Sequence, residues 1–196
     1  MLPFSQACEN NKLPILGILQ RHFGSVRSVL EIGSGTAQHG EFFADQFPNI
    51  SWQCSDVPAT LETTQQRILS RSLQNLPAAI PLDVNDENWN CASYDCVFSA
   101  NSLHIMSYGS VTNFFKGLPR CLNPDALVLL YGPFKYKGEF TTESNARFDL
   151  WLKQQNPHSG VRDFERVHEL AEGAGLSFVE DNPMPANNQL LVFSLS

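Results

Sequence analysis

The chain has 196 residues, 42% of them hydrophobic, and a formal charge of -7. That length suits one α/β domain with a sizeable core and argues against two. The acidic balance offers no diffuse positive field of the kind that draws nucleic acid or anionic membranes, so neither is expected as a partner.

In chain order, the N-terminal stretch MLPFSQACENNK has no basic region followed by an apolar run, and no stretch approaches the roughly 18 apolar residues of a membrane span. A soluble, cytoplasmic protein is expected. Leu13, Ile15, Leu16, Ile18, Leu19 and Phe23 follow a helical period that Gly24 is placed to stop, so residues 1–24 form an N-terminal helical region. Residues 28–32 (SVLEI) read as a strand ended by a glycine loop, and Phe42, Phe43 and Phe47 recur at helical spacing until Pro48. The unit then repeats: a strand over 50–54 ending at Asp56, a polar helix over about 59–75, and a strand over 78–82 ending at Asp83. Residues 94–100 (YDCVFSA) are a buried strand, 111–122 a helix, and 126–131 (ALVLLY) the most apolar strand. Alternating β and α elements predict a parallel sheet covered on both faces.

Past Gly132-Pro133 the rhythm breaks into a polar, aromatic insertion over 134–160, too long for an ordinary connection and expected to act as a lid. Asp163 is placed to cap a helix carrying Phe164, Val167, Leu170, Ala171 and Ala174. Strands over 176–179 and 189–195, joined by EDNPMPANN, finish the chain as an antiparallel hairpin. The five cysteines, Cys8, Cys54, Cys91, Cys96 and Cys121, form neither a C-x-x-C pair nor a His-rich cluster, so reduced thiols are expected and no metal.

Chemistry concentrates in V-L-E-I-G-S-G-T-A-Q-H-G, residues 29–40. Gly33 and Gly35 permit a sharp turn and close approach of the backbone to a ligand. In a dinucleotide fingerprint the third glycine position would be Gly or Ala; here it is Gln38, and Glu31 stands two residues before Gly33. No Gly-Lys-Ser/Thr follows, which removes the P-loop reading. A cofactor with a cationic sulfonium, an ammonium group and no phosphate would instead favour the acid. Asp56 ends the second strand, where a carboxylate can accept hydrogen bonds from both ribose hydroxyls.

The segment E-I-G-S-G-T resembles the glycine motif of class I methyltransferases that use S-adenosylmethionine. The stretches E-N-N-K-L-P-I-L, E-I-G-S-G-T-A-Q-H, W-Q-C-S-D, Y-G-P-F, S-N-A-R-F-D, V-R-D-F-E and M-P-A-N-N extend the likeness through nearly the whole chain, which resembles the methyltransferase-like family called domain of unknown function 938. The resemblance implies a Rossmann-like α/β methyltransferase sheet of order 3-2-1-4-5-7-6, strand 7 antiparallel, with helices on both faces. It implies S-adenosylmethionine as cofactor and S-adenosylhomocysteine as product. Onto this sequence it places Glu31, Gly33, Ser34, Gly35, Thr36, Gln38, Asp56, Val57, Asp83, Val84, Ala100 and Asn101 around the cofactor, with Asp83 against the adenine amino group. Ala37 departs from loops that carry a further glycine, and a helix start is expected there.

Asn101 to His104 follow the fourth strand, on the rim over which a methyl acceptor would lie. His104 is the leading candidate for a general base and Tyr131 a weaker one. No N-P-P-Y or D-P-P-Y tetrapeptide stands here, which disfavours methylation of bases or glutamine. Asn11, Asn145, Arg162, Asn187 and Asn188 are candidates for binding a small polar acceptor, and Phe134, Tyr136, Phe140, Phe148 and Trp151 for closing it from water. Gln38 and His39 are expected to shape the loop and cofactor pocket. The resulting expectation is a methyltransferase acting on a small molecule, as a monomer or weak homodimer. Its rivals are a protein methyltransferase, a silent cofactor-binding module and an NAD-dependent oxidoreductase, the last opposed by Gln38 and Glu31.

Overall fold

The computed structural model describes residues 2–195. Its elements are α1 (Gln6–His22), β1 (Ser28–Ile32), α2 (Gln38–Gln46), β2 (Ser51–Asp56), α3 (Leu61–Arg71), β3 (Ile80–Pro81), β4 (Tyr94–Ala100), α4 (Tyr108–Gly117), β5 (Leu122–Gly132), β6 (Phe134–Tyr136), β7 (Glu139–Phe140), α5 (Glu143–Gln155), β8 (Arg162–Asp163), α6 (Phe164–Gly173), β9 (Leu176–Met184) and β10 (Asn188–Leu195). Seven strands build the main sheet in the order β3-β2-β1-β4-β5-β10-β9. Its first five pair in parallel and β10 runs antiparallel to both neighbours. Counting only strands of this sheet, that is the order 3-2-1-4-5-7-6 of a Rossmann-like methyltransferase.

Strand alternation divides the core into two layers. Leu30, Ile32, Val97, Val128 and Leu130 face α4 and α6, where Val111, Phe114, Phe115, Val167 and Ala171 complete the packing. Val29, Phe98, Leu129, Leu190 and Val192 face the other way, onto Ile15 and Leu19 of α1, Phe43 of α2 and Ile68 of α3. Burial of both faces is why the central strands read as apolar runs and not as alternating patterns. By the same parity Glu31, Tyr131 and Asn188 belong to the α1 face of the sheet.

Several boundaries differ from the sequence expectation for local reasons. Helix α3 stops at Arg71 because Ser72 turns left-handed at φ 50°, and Asn75 then anchors the chain by donating to the carbonyls of Ala44, Phe47 and Ile50. Strand β3 is short because the Ala79 amide is taken by the Gln65 side chain at 2.8 Å, and Pro81 has no N–H for the ladder. Helix α4 begins early, at an N-cap where Ser107 accepts from the Ser110 amide at 3.0 Å. It gives way at Pro119 to a single tighter turn over Leu118–Arg120.

The insertion is ordered structure and not a bare loop. Strands β6, β7 and β8 form a second, three-stranded sheet in the order β7-β6-β8, and α5 packs beside it. Asp163 does precede α6, yet its carboxylate makes no capping bond within that helix and accepts instead from the Gly138 amide at 2.8 Å. Strand β9 runs on to Met184, so the hairpin connection shrinks to the turn Pro185–Asn187. Among the described residues no helix is long and apolar enough to cross a membrane, and all five cysteines are unbridged.

Candidate functional site

The loop after β1 is built by positive backbone angles. Gly33 and Gly35 sit at φ 77° and 53°, a region that favours glycine. A Cβ on Gly33 would come within 2.5 Å of Ser102 Oγ, whereas above Gly35 nothing lies within 4 Å. The loop therefore packs tightly against the end of β4 on one side and is open on the other. Ala37 takes the left-handed conformation at φ 56° and N-caps α2, so the helix starts one residue later, at Gln38. An alanine there carries strain on the order of 1–2 kcal/mol that glycine would not.

Three amides of the loop are held inside the protein. Gly33 and Ser34 both donate to the Ser55 carbonyl at 3.0 Å, and the Gly35 amide donates to Asp56 Oδ2 at 2.6 Å. The other Asp56 oxygen accepts from the Val57 amide at 2.8 Å and the Thr60 hydroxyl at 2.5 Å. A half-buried carboxylate at the end of β2 thus holds the place where a dinucleotide loop presents its donors to pyrophosphate. Val57 beside it is exposed. At the end of β3, Asp83 Oδ1 accepts from the amide and side chain of Asn85 at 2.9 and 3.0 Å, with Val84 buried in the core below.

Glu31 is only 2% exposed, enclosed and not solvated. Its Oε2 accepts from Trp52 Nε1 at 2.7 Å and lies 3.6 Å from Cys54 Sγ. Burial, opposed only in part by these contacts, pushes the carboxyl up to about 7. Its backbone carbonyl takes the Ser34 and Ser55 hydroxyls. Gly40 makes room: a Cβ there would fall 2.3 Å from Cys54 Sγ and 2.9 Å from Glu31 Oε2.

A strap formed by the N-terminal segment closes this side. Gln38 accepts from the Ser5 amide at 2.5 Å and from the Thr36 hydroxyl at 3.0 Å, and donates to Ser5 O and Glu9. Arg67 of α3 donates to Thr36 O at 2.7 Å, to Glu41 at 2.9 Å and to the Pro3 carbonyl. Nothing in the local sequence marks Arg67 for this task, because its partners lie more than 25 residues away.

At the end of β4, Asn101 adopts φ 57° and donates its amide to Tyr131 O at 2.8 Å, which joins Ala100 and Asn101 to the end of β5. His104 is 5% exposed. Its ring stands edge-on to Phe148 at 5.3 Å and beside Gly132. Burial, reinforced by the Arg162 charge, pushes the imidazole down to about 4, so it is neutral at physiological pH. Tyr131 is 4% exposed, and burial raises its phenol above the ordinary range, with Asn11 and Asn188 acting in the opposite direction.

The remaining polar residues split by what their side chains hold. Arg162 donates to the carbonyls of Leu103, Met106 and His158, thereby setting the loop that carries His104. Buried Asn145 donates to Asn187 O at 2.9 Å and Thr141 Oγ1 at 2.9 Å; Asn187 in turn donates to Ser144 at 3.0 Å. These three tie the insertion to the rim. Asn11 is bound to His39, and Asn188 donates to Pro185 O at 3.2 Å. Asp149, the last residue of the S-N-A-R-F-D segment but given no role from sequence, proves a main anchor of α5: it accepts from the Val161 amide at 2.8 Å and pairs with Lys153 at 2.7 Å. Grooves of about 490 and 580 Å³ lie elsewhere, around His168 and between α4 and α6.

Comparison with solved structures places this architecture. An O-methyltransferase family protein from Burkholderia thailandensis superposes with a TM-score of 0.82 at 16% identity, over 94% of this chain and 56% of that one. SibL, an S-adenosylmethionine-dependent methyltransferase solved in its apo form, gives 0.79 at 22% identity, over 95% and 55%. PigF, solved with SAH, gives 0.78 at 16% identity, over 92% and 54%. The chain spans about half the length of these proteins, and the likeness is one of fold. At the level of sequence, the profile described as "Protein of unknown function (DUF938)" matches residues 2–195, and the chain belongs to that family.

Proposed function

We propose that the protein is an S-adenosylmethionine-dependent methyltransferase acting on a small polar molecule. One observation carries the cofactor assignment: the Asp56 carboxylate sits over the Gly35 amide while Gly33 and Ser34 donate to Ser55. A pyrophosphate would meet a carboxylate and find the Gly33, Ser34 and Gly35 amides already engaged, whereas ribose hydroxyls can donate to Asp56 and the open space over Gly35 admits the nucleoside. The donor set therefore fits S-adenosylmethionine and opposes NAD. Asp56, with Val57 beside it, would take the ribose, Asp83 and Val84 the adenine edge, and the loop from Gly33 to Gln38, with Ala100 and Asn101, the methionine arm. PigF with SAH supports the same cofactor at the level of fold.

The cofactor supplies an electrophilic methyl on a sulfonium leaving group. The protein must align the acceptor, keep water out and accept a proton where the acceptor carries one. His104 is neutral and buried, with Phe148 of the insertion over its ring, and serves as the base. Its lowered basicity suits an acceptor that is already acidic. Tyr131, whose ionisation burial opposes, acts as a hydrogen-bond donor. Asn11 and Asn188 border the acceptor, and Asn145, Asn187 and Arg162 hold the cover in place. An ordered, anchored insertion over the rim favours an enclosed small acceptor above a protein side chain, and turnover above silent binding.

The test is release of S-adenosylhomocysteine from S-adenosylmethionine in fractionated metabolite extracts. The parent should show acceptor-dependent release, and His104→Ala should lower it by about 100-fold while leaving cofactor affinity within about 0.5 kcal/mol. No release across polar extracts, apolar extracts and peptide pools would leave a binding module; release with peptide pools alone would make it a protein methyltransferase.

A further inference from the structure

After β4 the chain turns on Ser102, whose carbonyl accepts from the amides of Ile105 and Met106 at 3.0 and 3.1 Å. That turn leaves the carbonyls of residues 103–106 to be met from outside the loop. All four are met by one stretch, residues 158–162, which leads from α5 into β8. Arg162 Nε donates to Leu103 O at 2.9 Å, and its Nη2 donates to Met106 O and to His158 O. Between these, the Gly160 amide donates to His104 O at 2.9 Å and the Ser159 hydroxyl to Ile105 O at 2.7 Å. Three residues thus clasp four successive carbonyls.

The clasp is itself fixed to α5. Asp149, only 3% exposed, accepts from the Val161 amide at 2.8 Å, and a Cβ on Gly160 would fall 2.8 Å from the same Oδ1. The stretch therefore passes close against the helix while its Gly160 amide reaches His104 O. The His104 ring is held against the same helix, edge-on to Phe148 at 5.3 Å. Backbone and ring of one residue are both set by the insertion. Gly132, at the end of β5, supplies room, since a Cβ there would stand 3.4 Å from His104 Nδ1.

We propose that Arg162 and Ser159 are positioning residues for His104, which they lock to α5 together with the Gly160 amide, so that base and insertion hold or move as one unit. The inference rests on reading His104 as the base that serves the methyl acceptor. Two features favour this above plain support of a loop. The donors take the carbonyls on either side of His104 as well as its own, and a base displaced by 1 Å loses on the order of 100-fold in rate. Arg162 also brings a cation to the loop, which keeps the imidazole in the form that can accept a proton.

Two measurements test the proposal. Diethyl pyrocarbonate at neutral pH modifies neutral imidazoles according to their access, and peptide mass spectrometry gives the rate at each histidine. In the parent, His104 should react slowly beside His22 and His168, whose side chains are 18% and 33% exposed. Ser159→Ala and Arg162→Met should each speed reaction at His104 by about tenfold, the equivalent of one lost hydrogen bond, with His22 and His168 unchanged. Arg162→Lys, which keeps a donor, should recover part of the protection, and Asp149→Ala should reproduce the gain. Where Arg162→Met fails to fold, Ser159→Ala decides. Unchanged rates at His104 in the folded variants, or equal gains at His22 and His168, would overturn the clasp. In metabolite extracts, the same two variants should lower the kcat for S-adenosylhomocysteine release by about 10- to 100-fold, with the KM for S-adenosylmethionine unchanged. Faster modification with unchanged release, or a raised KM with kcat intact, would overturn the positioning role. A parent that releases nothing in any extract refutes the function reading, and the modification rates then decide the clasp on their own.

Discussion

Glu31 shows how a motif residue can be visible in sequence while its environment is not. Its position before the glycine pair follows from reading residues 29–40, but its enclosure by Trp52, Cys54 and Gly40 comes from elements that meet only in the fold. Because its carboxyl rises from 4.5 to about 7 on folding, the native state holds a proton that the unfolded chain has lost. The stabilising contribution is full below pH 4.5 and disappears as pH rises through 7, a change on the order of 3 kcal/mol. Glu31→Gln should therefore gain stability relative to the parent between pH 4.5 and 7.5 in denaturant melts; parallel pH profiles would show that the carboxyl is not perturbed. Asp56 is the counterpart whose proposed role follows from its position at the end of β2. Asp56→Ala should weaken S-adenosylhomocysteine by roughly 1.5–3 kcal/mol in calorimetry, the range for hydrogen bonds to a charged group. Equal affinity in a folded variant would remove it from the site. Asp149 and Arg67 were illegible because each holds backbone groups far away in sequence or beyond its own helix.

At the scale of elements, hydrophobic periodicity located β1 and β4 to the residue, since continuous apolar runs bounded by turns leave little freedom. It misjudged β3, α3 and β9, whose ends are set by Gln65, Ser72 and cross-strand pairing with β10. The insertion was legible as an interruption, but its small sheet and helix were not, because short two- and three-residue strands carry no periodic signal. Its anchor is testable. Asp149→Ala leaves the buried Val161 amide without an acceptor, at a cost of about 1–3 kcal/mol, and should raise hydrogen exchange across residues 143–161 ahead of the main sheet. Exchange that rises uniformly through the molecule would mean that α5 does not open on its own. In the parent, protection over 134–160 should increase when cofactor and acceptor are both bound; no change would make the insertion a fixed cover and not a lid. Gly40→Ala would thrust a Cβ to 2.3 Å from Cys54 Sγ, and displacing α2 should cost about 1–3 kcal/mol in denaturant melts. A neutral result would show that the helix stands farther from β2.

For the whole molecule, alternating strands and helices were enough to read a parallel sheet, and the likeness through seven short segments carried the strand order. Neither carried the acceptor, because fold does not specify the site grafted on it. Two of those segments meet where His39 Nε2 lies 2.6 Å from Asn11 Oδ1, a contact that only the three-dimensional arrangement shows. The proposed cofactor rests chiefly on the loop after β1, whose Gly33, Ser34 and Gly35 amides are already engaged by Ser55 and Asp56, and the choice of cofactor decides between methyl and hydride transfer. Calorimetric titration of the parent with S-adenosylmethionine, S-adenosylhomocysteine and NAD side by side tests this most directly. Saturable binding of the first two and none of NAD is the expected result; binding of NAD with no response to either sulfur nucleoside would make the protein a dinucleotide binder instead.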